Sequence, residues 1–531
     1  METRNPFFLL YKYLLYQPNP GTVINDIMDK VKQMIKTTNK DEYLQLHHSI
    51  NHVDNSIQHI EYAKLISLIL NNQLYIPTKK LLFSIEPYLT ISISSIFNSI
   101  FIDGNQQKIK DYISSNIRWN PQLTEDNNNR TEYLKTNLNI DIEALKPNNY
   151  PKNGLLSFEG MDYLVNESLY AFDMMKRDNK TELFIIDSRF MSKYEQKPNY
   201  LKGGCCISYF KLTKHGFKLQ KIKYNDETLY RKNRYNSSSF LPFYALYFDI
   251  LTYVTICVHA IQCHYITSAN LTDKNTRYLS LDHPIRQLLL PTELNCINND
   301  VGNIITALIK NGDFYNIFAY TDKGLIDMIN DNILHHRYDF FTNDTLFSKL
   351  HLSKEEMEYY PIKTYATYYK LLDELSNNFV NECVSQGLMD DEIKTWVDMC
   401  YPVEDRPSKL STKAIVKRII QGIFFHSVKH KMSQNANFTY FWVQFPVIQL
   451  NENTNDYYID LTTLNYTCQL AMITNVEIID ITKNMSFLID NPTLKSIVND
   501  FHHKINKLDK NYPSNFISCL KPSDISFSIG M

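Results

Sequence analysis

The sequence predicts a mainly α fold, a large helical body that carries one small antiparallel β-sheet. Apolar residues recur at helical spacing over residues 22–118 and again beyond residue 240. Between these stretches lie runs with the alternation and β-branched content of strands, separated by a glycine turn.

With 531 residues the chain has room for one large domain or several average ones, and it can bury a sizeable core. Hydrophobic residues make up 44% and charged residues 21%, and 55 Lys plus Arg nearly balance 57 Asp plus Glu. That is the composition of an ordinary globular protein, without the basic excess that points to nucleic acid. The nine cysteines show no repeated C-x-x-C spacing, so the expectation is a reduced, cytoplasmic setting with no disulfide framework.

Taken in order, Phe7 to Tyr16 reads as an amphipathic helix, because Lys12 interrupts the apolar run and no small-residue cleavage site follows. Residues 22–118 read as helical, with Tyr62, Leu65, Ile66, Leu68 and Ile69 at helical spacing and Asn-rich turns between segments. Residues 119–154 are mostly polar, carry Pro121, Pro147 and Pro151, and are the expected site of a long surface loop. Leu183 to Asp187, Cys205 to Leu212 and Phe217 to Tyr224 are strands, the last two joined by a turn at His215-Gly216. Helices follow at 240–269, 297–310, 361–384, 411–432 and 494–508. No internal repeat is present, and no membrane span is expected.

His259 and His264 sit deep in the apolar 240–269 helix, an unusual place for two imidazoles. On a regular α-helix five residues turn through about 500°, which leaves the two rings roughly 140° apart. Two accounts stand open: histidines satisfied separately on different faces, or a pair of ligands brought together by a π-type widening of the helix. The second account makes a geometric prediction.

Downstream, Arg277 to Pro291 reads RYLSLDHPIRQLLLP, and with the two helix histidines it resembles the lipoxygenase signature L-S-x-x-H-P-I-x-x-L-L-x-P. Other stretches are similar to that family in the same order. Leu183 to Asp187 looks like its L-F-I-x-D strand, and Ile207 to Ile222 like the strand pair that follows. Tyr360-Pro361 opens a long helix, and Asp391 to Trp396 is similar to D-x-E-L-x-x-W. The chain end, Leu520 to Met531, aligns without gaps to the family's L-x-P-S-x-I-x-N-S-x-x-I, with Phe527 in place of Asn and Met531 in place of the final Ile. The resemblance covers residues 155–531.

What the resemblance implies is one catalytic domain over residues 1–531, with 1–118 as its helical beginning and no N-terminal β-sandwich. It implies a non-haem metal, iron or alternatively manganese, held by His259, His264, a histidine of a second helix, a weak donor four residues on, and the main-chain carboxylate of Met531. The second helix offers His426 with His430, or His430 with Gln434; the register of the surrounding apolar residues favours His430 and Gln434. It further implies a fatty-acid dioxygenase in oxylipin metabolism, with O2 and a polyunsaturated fatty acid as substrates and a metal-bound hydroxide as the one catalytic group. Such a mixed nitrogen and oxygen donor set suits iron or manganese and not thiolate-preferring metals. Membrane contact, without the sandwich, would be peripheral and use another surface.

The chain departs from the family after His264, where Tyr265 to Asn270 replaces E-P-F-x-I-A-T, and gaps near Gly302 and Leu308 bar transfer of substrate-controlling roles. These departures keep a second reading open, a chain of this fold without turnover that binds lipid or serves a structural role. A third reading, an unrelated helical scaffold, predicts that His259, His264, His430 and Met531 lie far apart.

Overall fold

The computed structural model describes residues 39–44, 152–168, 173–178, 180–232, 240–293, 296, 313–335, 350–389, 391–400, 411–433, 448–451, 456–459, 479–513 and 520–527. The Phe7 to Tyr16 helix, the 22–118 region apart from residues 39–44, most of the 119–154 loop and the 297–310 helix lie outside them.

Helix α1 (Phe158–Ser168) precedes a five-stranded antiparallel meander, β1 (Met175–Arg177), β2 (Phe184–Asp187), β3 (Cys206–Thr213), β4 (Gly216–Tyr224) and β5 (Glu227–Tyr230), paired in sequence order. Alternation puts Cys206 and Phe210 of β3 in the core, and β4 buries Phe217 and Leu219 and, past a bulge at Gln220, Ile222. The outer strands, Met-Lys-Arg and Glu-Thr-Leu-Tyr, are too short to show a period and were not expected. Gly216 turns the chain at φ +98°, and a Cβ there would come within 2.3 Å of Asn166 Oδ1. That oxygen accepts the Phe217 N–H at 2.7 Å and the Tyr359 hydroxyl at 2.8 Å, so the turn is tied to α1.

A continuous rod runs through the body: α2 (Phe240–Tyr253), a π-helix (Val254–Ser268) and α3 (Ala269–Tyr278). Its first half is apolar on every face, the pattern of a helix enclosed by protein. Phe240–His264 is long and apolar enough to cross a bilayer by length and composition alone, but almost all of it is buried within the fold. Buried Asp249 ties the rod to the sheet by accepting the Gly204 N–H at 2.8 Å and the Ser188 hydroxyl at 2.5 Å.

Around the rod lie α4 (Pro284–Leu289), α5 (Asp322–His335), α6 (Tyr360–Ser385), α7 (Asp391–Cys400) and α8 (Thr412–Phe424). Proline fits the first turn of α4, where its missing N–H costs nothing, and the His283 Nδ1 caps that turn by accepting the Ile285 N–H at 3.1 Å. After α8 come a π-helical turn (Phe425–Lys429), α9 (His430–Ser433), a hairpin of β6 (Ile448–Asn451) and β7 (Asp456–Ile459), and α10 (Pro492–Lys510). Helix α5 packs on the π-helix, α7 on α3, and α6 on both α8 and α10. Trp396 of α7 donates its indole N–H to Asn275 of α3 at 2.8 Å.

The last described segment is pinned by main-chain bonds. Ile481 N–H donates to the Ile525 carbonyl and Phe527 N–H to the Ile479 carbonyl, each at 2.8 Å. Tyr368 of α6 donates its hydroxyl to the Leu520 carbonyl at 2.7 Å.

Candidate metal centre

The rod widens where the two histidines lie. Val254, Thr255, Ile256 and Val258 branch at Cβ and crowd an α-helical turn, which weakens the preference for regular α geometry. In a π-helix the hydrogen bond spans i to i+5, so residues five apart come onto one face. His259 and His264 do so: their ring centroids are 4.7 Å apart and their Nε2 atoms 3.2 Å apart.

His430 opens α9 directly after the second π-helical turn. Its ring lies 4.6 Å from that of His259 and 5.1 Å from that of His264. One ligand nitrogen from each of the three imidazoles lies within 4.8 Å of the others. His264 and His430 are buried and His259 is partly buried. Ser433 Oγ lies 3.1 Å from His259 Nδ1 and donates to the His430 carbonyl at 2.8 Å.

Burial sets the charge state, because a low-dielectric interior disfavours the imidazolium. It pulls His264 down to about 3 and holds His259 and His430 well below the ordinary imidazole value, with mutual repulsion among the rings acting in the same direction. At neutral pH all three are uncharged and offer nitrogen lone pairs.

The residues present fit a metal ion. Among the described residues the buried Nε2 of His430 has no hydrogen-bond partner, an arrangement that costs free energy unless something electrophilic sits there. The His259 and His264 Nε2 atoms face each other at a distance that one shared proton or one cation satisfies. Three neutral imidazoles converging on one point suit a borderline transition metal.

Of the other residues named from sequence, His426 lies in the π-helical turn, fully buried, with neither ring nitrogen hydrogen-bonded among the described residues, and it stands outside the three-histidine group. Gln434 and Met531 lie outside the described residues, as do Gly302 and Leu308. Phe527 lines a cavity of about 20 Å³ together with Leu288, Leu375, Ile423, Phe501 and His502, which brings the C-terminal segment against α8, the helix that leads to His430. Ser433 was missed by sequence reasoning; its one signal is its place a single helical turn beyond His430.

No family model matches the sequence, and no curated protein sequence does either. Solved structures do. The manganese lipoxygenase of Gaeumannomyces graminis is 12% identical, with a TM-score of 0.58 over 97% of this chain and 99% of that one. Coral 8R-lipoxygenase is 11% identical, with a TM-score of 0.58 over 74% of this chain and 70% of that one. A lipoxygenase whose anaerobic crystal structure holds arachidonate is 12% identical, with a TM-score of 0.60 over 97% of this chain and 83% of that one. At such identities the likeness shows the fold.

Proposed function

We propose that this chain, whose fold is that of the lipoxygenase catalytic domain, is a non-haem metal dioxygenase that converts polyunsaturated fatty acids to hydroperoxides. The observation that carries the reading is the convergence of His259, His264 and His430 from two separate helices. Fold alone would support a lipid-binding module equally well; the buried cluster of neutral imidazoles favours the metal enzyme.

Iron or manganese held by these histidines would supply the one-electron chemistry that oxygenation of a pentadiene requires. The protein's part is ligation, orientation and exclusion of water. His259 and His264 from the rod and His430 from α9 are neutral donors held in fixed orientation by buried helices. A carboxylate would offset part of the ion's charge, and the reading assigns that task to the main-chain carboxylate of Met531, with the Gln434 amide as a weak donor. Phe527, four residues before the end, packs in the same cavity as Ile423 of α8, which supports that assignment. On this reading the apolar wall that a fatty-acid chain needs would come from helices around the histidines, α6 among them.

The test is metal analysis of the purified full chain together with dioxygen uptake and conjugated-diene absorbance on linoleate and arachidonate. The wild type is expected to hold roughly one iron or manganese per chain and to form hydroperoxide, and His264→Ala to lose both. Undiminished metal in His264→Ala, or bound fatty acid with no dioxygen uptake by the metal-loaded wild type, would overturn the reading.

A further inference from the structure

We propose that Ser433 is a positioning residue for the metal centre: its hydroxyl fixes His259 in the tautomer that presents a bare Nε2 to the ion. The inference rests on the metal-binding reading above and adds to it a residue that does not itself touch the metal.

A serine hydroxyl has one proton to give and two lone pairs to receive. The Ser433 proton is committed, since Oγ donates to the His430 carbonyl at 2.8 Å within the same helical turn. What remains toward His259 is acceptor capacity only. Nδ1 of His259, 3.1 Å from that oxygen, therefore carries the ring proton, and Nε2 carries the lone pair. Nε2 is also the atom that faces Nε2 of His264 at 3.2 Å, so the lone pair points to where the three imidazoles converge. Cys263 Sγ lies 4.0 Å from the same oxygen, and with the hydroxyl proton engaged elsewhere the thiol is the donor of that weak contact.

The hydroxyl does two further things. It links the rod to α9, so that the orientation of the His259 ring is set by the helix that bears His430. It also accepts a bond from a buried ring nitrogen that would otherwise compete for the ion in the wrong tautomer. Without it, His259 is free to carry its proton on Nε2, and that form cannot bind a metal through the nitrogen that faces the site. Groups that orient a ligand imidazole in this way typically change metal affinity by about 10- to 100-fold when removed.

The experiment is a Mn2+ titration of the metal-free full chain, followed by the electron paramagnetic resonance signal of unbound aqueous Mn2+. Variants are Ser433→Ala, Ser433→Thr and Ser433→Val, and Ser433→Ala is repeated in a His259→Ala background. Ser433→Ala and Ser433→Val are expected to weaken binding about 10- to 100-fold, and Ser433→Thr, which restores the hydroxyl, to bind close to wild type. In the His259→Ala background Ser433→Ala should add nothing, because the ring it orients is gone. Thr and Val differ in little but the hydroxyl, so that pair decides the matter if Ser433→Ala does not fold. Wild-type affinity in Ser433→Ala and Ser433→Val, or an equal loss with and without His259, overturns the assignment of Ser433 while leaving the metal centre intact. A wild type that binds no metal overturns both.

Discussion

Arg286 and Glu293 meet at 2.9 Å, Nη2 to Oε2, with side chains only 4% and 0% exposed. The arginine also donates to the Thr276 hydroxyl of α3 at 3.2 Å, so the pair locks the segment after the His283-Pro284 turn to the rod that carries two of the three clustered histidines. Burial works against the charge on Arg286 and the Glu293 carboxylate works for it. Removing one member strands the other in the interior, so Glu293→Ala should cost about 3–5 kcal/mol of folding stability. The joint change Arg286→Met with Glu293→Leu should cost much less, since no charge is left behind. Urea denaturation of the three proteins checks this, and a loss in Glu293→Ala no larger than in the double variant would contradict it.

That ion pair also marks where the sequence stops being informative. Two charges in an apolar stretch read as solvated positions, because charged side chains are seldom wholly buried, and nothing local pairs Arg286 with Glu293 across Pro291. The helical body and the strands Phe184–Asp187, Cys206–Thr213 and Gly216–Tyr224 were legible because each presents one apolar face at its own period. The rod was legible as a helix, while its π geometry left a single trace, the five-residue interval between His259 and His264. Hydrophobic periodicity could not show it, since the residues there are apolar on all sides. His430 could be preferred over His426 through the register of its neighbours, whereas the part played by Ser433 depends on a contact between helices, which no spacing encodes.

Asp249 offers a pH test of the junction between sheet and rod. Burial raises its carboxyl to about 7, while bonds from Ser188 and Gly204 pull the other way. A carboxyl whose folded pKa exceeds the unfolded value contributes stability that is present below the unfolded pKa and lost as pH rises through the folded one. Here the loss runs from about pH 4 to about pH 7. Asp249→Asn can still accept from Gly204 and can donate to Ser188, so it keeps the junction without the titration. Relative to wild type it should gain stability between pH 4 and pH 7 and hold that gain above, as measured by urea midpoints at several pH values. A stability difference that does not change with pH would refute the assignment.

Gly216 tests the turn that shapes the sheet. Its φ of +98° is strained for any residue with a Cβ, and the added carbon would meet Asn166 Oδ1 at 2.3 Å and the Tyr359 hydroxyl at 2.6 Å. Asn166 cannot retreat without releasing the Phe217 N–H. Gly216→Ala should therefore cost roughly 1–3 kcal/mol, read as a lower thermal midpoint. Gly387 is the control: its φ is +69° but a Cβ there meets nothing among the described residues, so Gly387→Ala should cost less.

His502 makes the anchorage of the C-terminal segment sensitive to acid. Its Nε2 accepts the Met485 N–H at 3.3 Å, its ring lies 5.8 Å from that of Phe527, and the cavity they share is otherwise lined mainly by apolar side chains. Burial lowers its pKa from 6.5 to about 4. Between those values the unfolded chain takes up a proton that the folded chain refuses, so the stability His502 contributes is complete above pH 6.5 and drains away as pH falls toward 4. The buried histidines at 259, 264, 426 and 430 shift in the same direction, so the diagnostic quantity is a difference between two proteins and not the acid lability of one. His502→Asn retains a side-chain acceptor and cannot be protonated. Its stability should fall less steeply than that of wild type between pH 6.5 and pH 4.5. In wild type, acid should also release the Ile481 and Phe527 amides, which hold the segment in place, to hydrogen exchange before α10 opens. Equal slopes in the two proteins, with those amides protected to the same pH, would show that His502 does not govern the anchor.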